Sequence, residues 1–144
     1  MLDVADYVSI VARTPAGRIL VVRQYRPVVD RETIELPSGH IDSGELPEDA
    51  ACRELLEETG MVAKKMVPLG VLVPDVGRLT NRMWCYFATD VTPAAGEIDR
   101  EDGVDVIELS EQEVLAMATD GRMDHALNLA ALFLAVTKKR LVLV

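Results

Sequence analysis

Glu54, Glu57 and Glu58 stand at i, i+3 and i+4 in the run Arg53-Glu54-Leu55-Leu56-Glu57-Glu58. On a helix those positions share one face. Like charges so close together repel and weaken a bare helix. The pattern is therefore either a solvated charged face or a wall prepared for a cation. Hard divalent ions take oxygen ligands, commonly one or two carboxylates together with substrate phosphates. Mg²⁺ or Mn²⁺ held here would orient a polyphosphate and activate a water for in-line attack. One carboxylate could accept that water's proton. The spacing does not say which bond breaks.

The elements around the acids are legible too. Ser38 to Leu46 reads as a Gly-containing loop, and Pro47 suits a first helical turn, where its missing N–H is no loss. The helix is expected to run to about Thr59, with Gly60 as its stop. Gly39, Glu45, Arg53, Glu54, Glu57, Glu58 and Gly60, with apolar Leu55 and Met61, fill every fixed position of the Nudix box, G-x5-E-x7-R-E-U-x-E-E-x-G-U, where U is aliphatic. A chance match to this pattern is on the order of one in 10⁸ from average residue usage. The segment 39–61 thus resembles the Nudix hydrolases, which cleave nucleoside diphosphates linked to another moiety. The resemblance implies that Glu57 and Glu58 are the principal metal ligands and that Glu54 is a further ligand or binds through water. The backbone carbonyl of Ser38 joins them, and the metal is Mg²⁺ or Mn²⁺. It also implies that Glu45 and Arg53 tie the loop to the helix, so that Arg53 positions Glu54.

Upstream, Gln24-Tyr25-Arg26 and Glu35-Leu36-Pro37-Ser38-Gly39 resemble the Q-Y-R and E-x-P-A-G elements of ADP-ribose and nucleotide-sugar pyrophosphatases. Arg26 is the implied phosphate contact; on its own it reads equally as a surface ion pair with Glu35 or Asp30. Downstream the likeness fades, because Pro74-Asp75-Val76-Gly77 is followed by Thr80-Asn81-Arg82, with no acid in the expected place. In the acidic stretch 97–105, Glu101 is the candidate catalytic base. His40 is a loop residue that could touch substrate. Trp84 and Tyr86 share one strand face, suited either to core packing or to stacking on a nucleobase. The expected activity is a metal-dependent pyrophosphohydrolase acting on ADP-ribose or a nucleotide sugar. Two other readings are hydrolysis of modified nucleoside triphosphates and a non-catalytic nucleotide sensor.

Strands are expected at Tyr7–Arg13, Ile19–Gln24, Thr33–Leu36, Val67–Val73, Met83–Val91 and Val104–Leu109, from alternation and β-branched content. Ser110 and Glu113 form a capping-box pattern for a helix to about Thr119, and His125 to Lys138 reads as a second, more apolar helix. The 144 residues make one domain of α+β class. The resemblance implies a mixed sheet sandwiched between helices. A net charge of −9 argues against a nucleic-acid polymer as partner. No apolar run has the length of a membrane span. Two cysteines without a framework pattern suggest reduced thiols and a cytoplasmic setting. The strongly apolar segment Ala126 to Val136, with Leu141-Val142-Leu143-Val144 beyond it, suggests a homodimer face or a tail that covers its own sheet.

Overall fold

The computed structural model describes residues 1–142. Nine strands and three helices run in the order β1 (Tyr7–Arg13), β2 (Ile19–Arg26), β3 (Arg31–Glu35), β4 (Ser38–His40), α1 (Pro47–Thr59), β5 (Met61–Val62), β6 (Lys65–Leu72), β7 (Met83–Thr89), β8 (Thr92–Pro93), β9 (Asp105–Leu109), α2 (Glu111–Asp120) and α3 (Ala126–Thr137). The main sheet follows the path β3-β2-β1-β7-β6, with β4 paired to β1 and β9 to β2. β1 and β7 are parallel and the other pairs antiparallel, so the sheet is mixed.

Alternation along the central strands divides the core in two. Val8, Ile10, Ala12, Tyr86 and Ala88 meet Ala50, Ala51 and Leu55 of α1 on one face. On the other, Val11, Met83, Cys85 and Phe87 meet Val114 of α2 and Ala131, Leu132 and Ala135 of α3. The outcome is a helix–sheet–helix sandwich. Leu55 is fully buried beneath the acids, and truncating it to Ala would cost about 2–5 kcal/mol. α3 covers its sheet face with most of its circumference; Phe133 is left 67% exposed. Leu141 folds back into the same core, in line with a self-covering tail, whereas Leu143 and Val144 lie outside the described residues. Among the described residues no helix is long and apolar enough to cross a membrane. Cys52 and Cys85 are both free.

One departure from expectation matters for function. The residues Ser38 to His40, read as loop, form β4 and pair with Tyr7–Ser9 of β1. The β1–β2 ladder is confined to Ala12–Leu20 and Arg13–Ile19, so the first half of β1 has an open edge that β4 fills. This short pairing holds the box loop against the sheet and faces it toward α1.

Candidate active site

A single guanidinium joins the box loop to the acid helix. Arg53 Nε and Nη2 donate to the two oxygens of Glu45, each at 2.9 Å. Nη2 also donates to the His40 carbonyl at 2.9 Å. Nη1 reaches Glu54 Oε1 at 2.7 Å and Glu57 Oε2 at 3.3 Å. A rigid planar fork suits such multi-point holding in a way that a lysine does not. Arg53, and then the Asp42 N–H, bring the Glu45 carboxyl down to about 2. Glu45 in turn leads the acids that hold Arg53 above its ordinary value. Glu45 thus supports the site without facing it.

The remaining acids face one cavity of about 810 Å³, lined by Ser38, His40, Glu54, Glu57, Glu58 and Glu101, with Arg26 and Glu35 beside them. Glu58 is 4% exposed, and its carboxylate accepts the Ser38 N–H at 3.2 Å. Burial, augmented by the charges of Glu54, Glu101 and Glu35, pushes Glu58 up to about 8 against that hydrogen bond. Glu54 is also raised, first by burial. Buried acids packed this closely are short of positive charge, and oxygen donors of this kind fit a hard divalent cation. Among the described residues no three potential ligands yet converge on one metal position. Arg53 holds one oxygen of Glu54 and one of Glu57, which leaves the second oxygen of each carboxylate outside that contact.

Glu101 reaches the same wall through backbone contacts that sequence reasoning missed. Its N–H donates to the Glu57 carbonyl at 2.8 Å. Its neighbour Arg100 donates from Nη2 to the carbonyls of Glu58 and Val104 at 3.1 and 3.2 Å. The last turn of α1 has no basic residue of its own, so the loop supplies the cation that a helix C-terminus favours. Arg26 also has a fixed partner, donating to both oxygens of Glu35 at 2.8 and 3.0 Å. Glu35 is nearly buried and also accepts from Thr33 Oγ1 at 2.7 Å. Burial drives its pKa upward, but the bonds from Arg26 and Thr33 outweigh that and leave it below the ordinary value. The ion pair and the cavity position of Arg26 therefore coexist.

Trp84 takes the core-packing side of its two readings. It is not among the residues lining the cavity; it packs at the edge of the α1-side core and donates from Nε1 to Asp6 Oδ2 at 3.2 Å. A strand face alternates correctly for stacking, but here that face points at α1. Asn128 was overlooked. It is buried in α3, accepts the Leu36 N–H at 3.0 Å and anchors the corner between β3 and β4. A lone amide in the apolar run Leu127-Asn128-Leu129 was the available signal.

The profile of the NUDIX domain family matches residues 4–131. The chain belongs to that family. Among similar proteins, the ADP-ribose pyrophosphatase of Bacillus subtilis (strain 168) is 32% identical over 112 residues, covering 76% of this chain and 60% of the relative. A methanol dehydrogenase activator of Bacillus methanolicus is 33% identical over 119 residues, covering 81% of this chain and 64% of the relative. A crystal structure of an ADP compounds hydrolase superposes with a TM-score of 0.83 at 25% identity, covering 94% of this chain and 72% of that one. The Nudix chain described here spans about 60% of the length of these curated relatives.

Proposed function

We propose that this Nudix chain is a metal-dependent pyrophosphohydrolase that cleaves the diphosphate of a nucleoside diphosphate linked to another moiety, ADP-ribose or a nucleotide sugar. The observation that carries the reading is the one cavity wall shared by Glu54, Glu57, Glu58 and Glu101 with Arg26 at its side. The names of the similar proteins, an ADP-ribose pyrophosphatase and an ADP compounds hydrolase, support the substrate class.

Glu57 and Glu58, with Glu54 and the Ser38 carbonyl, would hold Mg²⁺ or Mn²⁺, which when bound supplies Lewis acidity and a more acidic water. Arg53 fixes Glu54 and Glu57 from behind and Glu45 fixes Arg53. Arg26, already oriented by Glu35, neutralises phosphate charge at the cavity side. Glu101 accepts the proton as water oxygen bonds to phosphorus and the bridging P–O bond breaks, releasing a nucleoside monophosphate and a phosphorylated moiety. His40, on the same wall, contacts substrate. A cytoplasmic setting accords with the two free thiols. A homodimer is proposed on the uncovered Phe133, to be checked by light scattering at micromolar protein; a strictly monomeric mass would refute it.

A hydrolysis screen with Mg²⁺ and Mn²⁺ over ADP-ribose, nucleotide sugars, dinucleoside polyphosphates and dNTPs tests the activity. A nucleoside monophosphate plus a sugar phosphate is the expected product pair. Monophosphate plus pyrophosphate would instead mean triphosphate hydrolysis, and no turnover at all would mean a nucleotide sensor.

A further inference from the structure

Three buried side-chain atoms among the described residues have no hydrogen-bond partner: Tyr7 Oη, Gln24 Nε2 and Asn81 Oδ1. All three residues line the same cavity as the acids. An unpaired buried polar atom is costly, and native structures keep such atoms few. Their restriction to one cavity is therefore informative. Gln24 and Asn81 are 9% and 6% exposed, so bulk water does not serve them.

Each residue is otherwise held in place. Tyr7 and Gln24 lie in β1 and β2. Asn81 Nδ2 donates to the Ala5 carbonyl at 3.1 Å, which leaves its oxygen on the other side of the amide without a donor. Together they offer an N–H₂ donor, a carbonyl acceptor and a hydroxyl that can do either. None carries charge, so they do not rival Arg26 as a partner for phosphate.

We propose that Tyr7, Gln24 and Asn81 form a subsite for the neutral, hydroxyl-bearing moiety attached to the diphosphate, a pentose or hexose whose hydroxyls both donate and accept. This deepens the pyrophosphohydrolase reading and rests on it for the diphosphate. Sites built to hydrogen-bond a hydroxyl discriminate strongly, because a ligand without it leaves the site's own polar groups unpaired.

The test is calorimetric binding of ADP-ribose, ADP-glucose and inorganic pyrophosphate in the presence of Ca²⁺, using wild type, Tyr7→Phe and Gln24→Met. Each substitution is expected to weaken binding of at least one sugar-bearing probe about tenfold, the worth of one hydrogen bond, and to leave pyrophosphate affinity unchanged. The melting temperature should hold or rise, since the atoms removed have no partner in the free protein. Unchanged sugar-probe affinities in both variants would overturn the subsite. So would an equal loss for pyrophosphate, a marked drop in melting temperature, or a wild type that binds neither sugar probe. A wild type that binds a sugar probe in Ca²⁺ but releases no monophosphate when assayed with Mg²⁺ or Mn²⁺ would remove the hydrolase reading and leave the subsite standing.

Discussion

Gly39 and Glu54 touch so closely that a Cβ added to Gly39 would lie 2.0 Å from Glu54 Cδ. The box glycine is thus required by its neighbour, not by its own backbone freedom. In Gly39→Ala the flexible carboxylate must swing aside, which is cheap for the fold. We expect the melting temperature to change little while kcat falls by about tenfold or more, as displaced catalytic groups do. Thermal melts beside steady-state kinetics decide it; a parallel loss of both would mean the glycine serves folding.

Glu57→Gln and Glu58→Gln should each reduce turnover by a factor on the order of 10²–10⁴, since a lost ligand removes charge stabilisation and water activation together. Circular dichroism should be unchanged. Near-normal rates at limiting Mg²⁺ in both variants would show that the metal sits elsewhere.

Arg26→Ala should raise KM more than it lowers kcat, the pattern of an interaction present in ground and transition states alike. It should also cost stability, about 1–3 kcal/mol, because Glu35 keeps a buried carboxylate without its main donor. Urea denaturation of Arg26→Ala against Arg26→Ala/Glu35→Gln separates the effects. The double variant should recover stability and keep the high KM.

Arg100→Ala should lower kcat by about tenfold or more with a smaller change in KM. Arg100 ties the loop that carries Glu101 to the end of α1. Arg100→Lys can restore one of the two carbonyl bonds, and partial recovery of kcat is expected. Wild-type kinetics in the alanine variant would disqualify the loop as the source of the base.

Glu45 has a folded pKa of about 2, held below its ordinary value first by Arg53. An acid with a depressed folded pKa contributes stability above its unfolded pKa and loses it as pH falls toward the folded one. Between about pH 4.5 and 2 the unfolded chain binds the extra proton, so stability rises with pH there. Urea midpoints across this window should fall less steeply on acidification in Glu45→Gln than in wild type. Identical slopes would mean that the Glu45–Arg53 pair is not maintained in solution.

The box helix, the long strands and the Ser110–Glu113 cap were legible because each rests on local chemistry: spacing, β-branching and a capping hydroxyl that accepts the Glu113 N–H. β4 was not, since three polar or small residues become a strand only when β1 leaves an edge to fill. Glu101 could be chosen from its loop, but its link to α1 passes through backbone atoms, which carry no sequence signature. Arg100 was lost among surface charges for the same reason. Trp84 was ambiguous because alternation gives a face without saying what lies opposite. Tyr7, Gln24 and Asn81 are far apart in the chain, and only the fold shows that each lacks a partner in the same cavity.

The chain has one tryptophan, and its indole is tethered to Asp6, just after Val4 and Ala5 of the cavity wall. Indole emission responds to the polarity and hydrogen bonding around the ring. The protein therefore carries an unlabelled optical reporter, free of competing indoles, placed beside the wall rather than in the path of the reaction. A ligand that shifts the N-terminal segment will register as a change in fluorescence, and stopped-flow traces at that wavelength can time binding separately from turnover.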